Sequence, residues 1–189
     1  MIITCKECNF TYLNDLEENI TAHEKRHKLY TDAKKPKINN ALKNAVKINN
    51  IVFIDKSSPE ELHLIVYKIA LAFKIETSSD SLGWEKNSEF LNSNSIAAII
   101  TDNQNRPLGA AVFDKSPYNK EKIDQSDHML SWVWIAPPYR SKGVLQSSLP
   151  TLVKKFPKAL ILFPYSEGMK KFAEKSILIT DGQPYYFTE

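Results

Sequence analysis

The stretch SWVWIAPPYRSKGVL, residues 131–145, decides how this chain is read. Its first half, with Met129 and Leu130 before it, is an apolar run ending at Ile135, the pattern of a buried strand. Pro137 and Pro138 stop that strand, because neither has an N–H to donate to a neighbour. Arg140, Ser141, Lys142 and Gly143 then lead into a helix expected over Lys142 to Phe156, with Pro150 as an interruption. A helix N-terminus presents unpaired N–H groups and a positive dipole end, which suits a pyrophosphate. Arg140 and Lys142 add charge, and Gly143 allows close backbone approach. The same residues equally suit an ordinary strand-to-helix turn with solvated basic side chains. Physical chemistry alone leaves both readings open.

Working outward, the pattern predicts a mixed α/β layout. Ile51 to Ile54 reads as a strand, and Ser58-Pro-Glu-Glu61 as a helix start with Ser58 as cap and Pro59 at the first helical position. Leu62, Ile65, Val66, Ile69, Ala70 and Phe73 follow at helical spacing. His63 falls beside that stripe and is expected at the surface. Ser95 to Thr101 and Leu108 to Phe113 read as a hairpin around Asn103 to Pro107. Ala159 to Phe163 reads as a buried strand, Ser166 to Lys175 as a short helix, and Tyr185 to Thr188 as a closing strand. Trp84, Trp132 and Trp134 are expected in the core, and Asp127 and His128 in an exposed loop.

The 189 residues leave room for one ordinary domain and a small module. Apolar residues make up 42% and charged residues 25%, which excludes general disorder. No stretch approaches the roughly 20 apolar residues of a membrane span. A net charge of +3 is too weak to argue for nucleic acid, and five glycines leave little material for Gly-rich phosphate loops. Residues 31–50, rich in Lys and Asn, read as a linker that turns helical after Pro36.

The small module is legible at the N-terminus. Cys5 and Cys8 are spaced C-x2-C, and His23 and His27 follow fourteen residues later. Paired thiols with nothing like a secretory signal before them suggest metal rather than a disulfide. Zinc takes four such ligands at tetrahedral corners. A knuckle supplies two thiolates, and one face of a helix over Glu17 to Lys28 supplies two imidazoles. Phe10, Tyr12 and Leu16 offer a small core. A lone finger more often supports a neighbour or binds protein than reads DNA, since DNA-reading fingers come in arrays with shorter loops.

The strand-loop-helix resembles the acyl-CoA loop of GNAT acetyltransferases, with Arg140, Gly143 and Leu145 at its motif places; Leu145 replaces the small residue usual there. Over nearly its full length the chain is similar to the cohesin acetyltransferases that establish sister-chromatid cohesion, in which one Cys-Cys-His-His finger precedes a GNAT domain. Cys5, Cys8, His23 and His27 match the finger ligands. Tyr12 matches its aromatic core, Ser131 and Trp134 a Ser-x-x-Trp on the central strand, and Lys170, Phe172 and Ala173 a C-terminal motif. The long N-terminal tail of many members, and the clamp-binding motif it can carry, have no counterpart.

The resemblance implies a mostly antiparallel mixed sheet flanked by helices, with a finger at residues 1–30, a linker at 31–50 and a GNAT domain at 51–189. It implies transfer of acetyl from acetyl-CoA to a lysine of the cohesin SMC subunit, in the nucleus and a chromatin context, with zinc in the finger. Val133, Trp134 and Ile135 would hold the thioester. Arg140, Ser141, Lys142, Gly143, Val144, Leu145 and Gln146 would cradle the pyrophosphate, with Ser166 and Gly168 across the groove. Ser131 would assist the chemistry. The family's catalytic Asp aligns with Pro164, so Glu167, the nearest acid, is expected in its stead. Alternatives are a GNAT enzyme for another amine, a catalytically weak acetyl-CoA binder, and a finger module for protein or DNA.

Overall fold

The computed structural model describes residues 1–87, 89, 94–115, 128–157, 159–161, 171–172, 178–180 and 185–187. It is an α/β molecule. A two-stranded hairpin, β1 (Ile2–Thr4) and β2 (Thr11–Leu13), is followed by helix α1 (Glu17–Lys34) and the short α2 (Asn40–Asn44). Then come β3 (Ile51–Ile54), α3 (Glu60–Thr77), β4 (Ile96–Thr101), β5 (Pro107–Lys115) and β6 (His128–Ile135). After α4 (Val144–Lys155) follow β7 (Leu160–Ile161), β8 (Leu178–Thr180) and β9 (Tyr185–Phe187). The main sheet has the order β3-β4-β5-β6-β7-β9-β8. Every neighbouring pair is antiparallel except β6 and β7, which are parallel.

Helices cover both faces of the sheet. Val52, Ile54, Ala97, Ile99, Ala110, Val112, Trp132 and Trp134 share one buried cluster with α3. Ile51, Ala98, Ala111, Phe113 and Leu130 share the other with Leu149, Leu152, Val153 and Phe156 of α4 and its C-cap. Both faces of β3 to β6 are therefore apolar, which is why those strands read as continuous runs rather than alternations. Phe156 is fully buried and stacks on Phe113 with ring centroids 3.9 Å apart.

In β6 the alternation breaks. Leu130 faces α4, yet Trp132 and Trp134 face α3. Ladder partners explain the switch: Phe113 opposes Leu130 and Val112 opposes Trp132, leaving Ser131 as one extra residue. Such a bulge re-aims the side chains that follow it.

Several expectations change. His63 is not at the surface but fully buried, stacked on Trp84 at 5.5 Å between centroids. His63 sits where α3 is covered on an additional side by Trp84, a contact no helical stripe encodes. Ser58 does not cap α3; its hydroxyl accepts from the Asp55 N–H at 3.0 Å, and Pro59 is the cap residue. His128 opens β6, its ring edge on Phe156 at 5.1 Å, while Asp127 lies outside the described residues. The helix read as ending at Lys28 continues to Lys34. Residues 31–50 thus carry the last turn of α1 and all of α2, capped by the Asn39 side chain, with Leu42 fully buried. Pro150 sits inside α4 without ending it. No described helix is long and apolar enough to cross a membrane.

Candidate functional site

The first cluster is at the N-terminus. The hairpin turns Cys5 and Cys8 toward α1, which brings up His23 and His27 one turn apart on one face. One ligand atom from each of the four residues lies within 4.8 Å of all the others. Tetrahedral zinc with bonds of ~2.0–2.3 Å needs ligand separations of about 3.3–3.8 Å, so a small contraction closes the cage. The donor set itself argues for a metal. His23 Nε2 is buried with no hydrogen-bond partner among the described residues, a costly state for a ring nitrogen unless an ion takes its lone pair. His27 faces Cys5 Sγ through Nδ1 at 3.5 Å and Glu7 through Nε2 at 3.5 Å, so an acid outside the cage orients the ring. The Cys5 thiol is pulled down to about 6, chiefly by the Cys8 backbone N–H and also by Glu7, His23 and His27. Burial pushes the Cys8 thiol up. Of the small core expected here, two members pack on the cluster, Tyr12 stacking on His23 at 4.3 Å and Phe10 at 6.1 Å, whereas Leu16 is exposed. Cys8, fully buried, belongs to the same core as Tyr30, Ala33 and the α3 residues.

The second cluster surrounds β6. Its ladder with β5 runs the whole strand, but among the described residues its pairing with β7 covers Met129 and Leu130 alone. Among the described residues no strand pairs with the other edge of Ser131 to Ile135. This edge contains Val133, Trp134 and Ile135. Beyond it a single 3-10 turn at Pro137–Tyr139 leads to Ser141 and Gly143, both left-handed with φ of 58° and 74°. Gly143 is the N-cap of α4, and no side chain caps that terminus. A Cβ on Gly143 would meet nothing within 4 Å, so its left-handed backbone, rather than crowding, favours glycine there. The first turn of α4 therefore receives no side-chain cap from its N-cap residue.

The side chains of this loop are more committed than the sequence suggested. Arg140 bends back along β6: Nε donates to the Ile135 carbonyl at 2.7 Å and Nη2 to Glu76 Oε2 at 2.5 Å. The same Glu76 oxygen accepts from Trp134 Nε1 at 2.9 Å, and the guanidinium lies 5.4 Å from the Trp134 ring centre. Lys142 and Ser141 are exposed, with Lys142 Nζ 5.8 Å from the Tyr139 ring centre. Leu145 packs against the α4 core beside Val133, which accounts for a large residue at a place where the GNAT pattern has a small one.

Ser131 is exposed at the bulge and donates to Asp114 Oδ2, while Ser95 donates to Asp114 Oδ1. Neither Asp114 nor Ser95 stands out in the sequence as a site residue. Their sole signal was polarity at the ends of apolar runs, because the two serines are 17 and 19 residues from Asp114. Pro164, Ser166, Glu167, Gly168, Lys170 and Ala173 lie outside the described residues; Phe172 packs against the α4 core.

A scan against protein-family models and a search among curated proteins each found no match.

Proposed function

We propose that this chain is an acetyl-CoA-dependent lysine N-acetyltransferase with a zinc-binding finger, acting on the cohesin SMC subunit in the nucleus to establish sister-chromatid cohesion. The observation that carries the reading is the one-sided edge of β6. Among the described residues it pairs to β7 through Met129 and Leu130 only, and the strand then runs into a loop with two left-handed residues and a helix that starts at Gly143, which has no side chain to cap it. An acyl thioester can add to such an edge through backbone hydrogen bonds, while the diphosphate meets the first turn of α4. The mixed sheet with helices on both faces agrees with a GNAT arrangement, and the Cys5, Cys8, His23 and His27 cluster agrees with zinc.

Within that reading, Val133 to Ile135 orient the thioester. The N–H groups of Val144, Leu145 and Gln146, with Lys142, bind the diphosphate. Arg140 shapes the loop through Glu76 and the Ile135 carbonyl more than by reaching the cofactor. Ser131 follows the last β6 residue paired with β7 among the described residues, and would stand beside the reacting carbonyl. Zinc, held by its four ligands, supplies structure only.

Calorimetry with acetyl-CoA, followed by mass spectrometry of an SMC head domain after incubation with both, tests the proposal. One acetyl-CoA per chain and acetylation of adjacent head lysines are expected. A charge-assisted contact is worth roughly 1.5–3 kcal/mol, so Lys142→Ala should weaken acetyl-CoA about tenfold or more. Binding with transfer to small amines alone would move the assignment to another amine. No binding of acetyl-CoA would sink it.

A further inference from the structure

We infer that Asp114 and Ser131 form the proton-removal device for the acceptor amine, an inference that rests on the acetyltransferase reading above. Three neighbouring strand ends bring it together. Ser95 leads into β4, Asp114 is near the end of β5, and Ser131 is the bulged residue of β6. Strand alternation puts Asp114 on the face of Ala110 and Val112, and Ser95 on the face of Ala97 and Ile99. That is the α3 face, opposite α4 and its cofactor loop. A thioester lying along β6 from the α4 side would therefore be met from the other side of the sheet by an amine arriving at Ser131.

The hydrogen bonds set the direction of proton flow. Ser95, only 4% exposed, commits its hydroxyl to one carboxylate oxygen and fixes the plane of the group. The other oxygen accepts the Ser131 hydroxyl proton. With its proton directed at Asp114, Ser131 Oγ turns its lone pairs toward the approaching ammonium. A lysine has an ordinary pKa near 10.4 and arrives protonated. Its proton passes to Ser131 Oγ as the Ser131 proton passes to Asp114, which becomes a neutral carboxylic acid. The freed nitrogen lone pair forms the C–N bond at the thioester carbonyl. Collapse of the tetrahedral intermediate breaks the C–S bond, and the departing thiolate takes the second nitrogen proton. Ser131 touches the substrate; Asp114 acts through it. The carboxylate that alignment seeks at Pro164 is in this scheme supplied from β5.

The test compares two acceptors. One is a peptide carrying the adjacent SMC-head lysines. The other replaces the acceptor lysine with an aminooxy analogue, whose nitrogen is a neutral –NH2 rather than an ammonium at neutral pH and so has no ammonium proton to lose before attack. Wild-type protein is assayed first for acetyl-CoA binding and for transfer to both; failure at this stage overturns the acetyltransferase reading and this inference with it. In Asp114→Asn, lysine transfer should fall by about a hundredfold to ten-thousandfold. Acetyl-CoA affinity and aminooxy transfer should stay near wild type. Ser131→Ala, at an exposed position, should give the same split, and it keeps the test decisive if Asp114→Asn folds poorly. Undiminished lysine transfer in the two variants, or equal loss on both acceptors, overturns the device while leaving the acetyltransferase reading in place.

Discussion

Glu76→Ala removes the one carboxylate oxygen that ties the end of α3 to the start of the loop. Trp134 is 5% exposed, and its indole N–H donates to that oxygen at 2.9 Å. Stranding a buried donor costs about 1–3 kcal/mol. The Arg140 pair is partly exposed, its side chains 45% and 23% accessible, so it contributes less, about 0.2–1 kcal/mol. Together the loss is about 1–4 kcal/mol. At this chain size each kcal/mol moves the thermal midpoint by roughly 2–4 °C. Glu76→Gln keeps an amide oxygen to accept from Trp134 and gives up only the charge, so it should cost under about 1 kcal/mol by the same bookkeeping. Urea unfolding of the three proteins, with midpoints compared at constant slope, measures both numbers. The Ala cost should survive added salt, because a buried indole bond is not screened, whereas the small Gln cost should shrink. If Glu76→Ala matches wild type within experimental error, or if Gln is as damaging as Ala, the shared-acceptor argument is wrong.

Two further outcomes are expected. Freshly purified protein should hold about one zinc per chain, and the Cys5→Ser, Cys8→Ser double variant none. Because Cys8 lies in the main core, metal loss should weaken the whole fold, by about 2 kcal/mol or more, or roughly 4–8 °C in midpoint; elemental analysis and calorimetric scans check both, and an unchanged midpoint would detach the finger from the core. His63 should make stability pH-dependent. Burial holds its folded value below the ordinary 6.5, so the unfolded chain takes up the proton first. Its contribution is intact above pH 6.5 and is lost as pH falls toward the depressed folded value, with a slope of at most about 1.4 kcal/mol per pH unit. Urea midpoints from pH 7.5 to 5 in wild type and His63→Phe should diverge below pH 6.5; parallel curves would exclude His63.

The strands and the Cys/His cluster were legible because each rests on short-range pattern. Cys5, Cys8, His23 and His27 declare themselves by spacing, and the runs at 51–54, 96–101 and 129–135 by apolar continuity. What escaped depends on contacts distant in sequence. Burial of His63 comes from Trp84, twenty-one residues on, and no helical period encodes it. Extension of α1 to Lys34 was hidden by its mixed charges, since only Tyr30 and Ala33 of the helix are buried. β8, three residues long, has too little sequence to carry an alternation. Asp114 reads as the polar end of a strand until the Ser131 bulge brings a hydroxyl to it. The acyl-transfer reading itself came from likeness at a few positions, not from periodicity.

Helix α1 has one more consequence. Its early turns carry His23 and His27, and its last turns, through Tyr30, Ala33 and the Asp32 to Lys68 ion pair at 3.8 Å, lie on α3. A rod of 18 residues, about 27 Å long, thus runs unbroken from the Cys/His cluster to α3, with no joint between them. Whatever docks on the hairpin is held at a set distance and azimuth from the β6 edge, so the two surfaces act as one ruler rather than two tethered hands. A ruler of this kind has a helical pitch. One residue inserted between His27 and Tyr30 would turn the hairpin by about 100° and advance it by about 1.5 Å, pointing the finger at different ground while leaving every metal ligand in place.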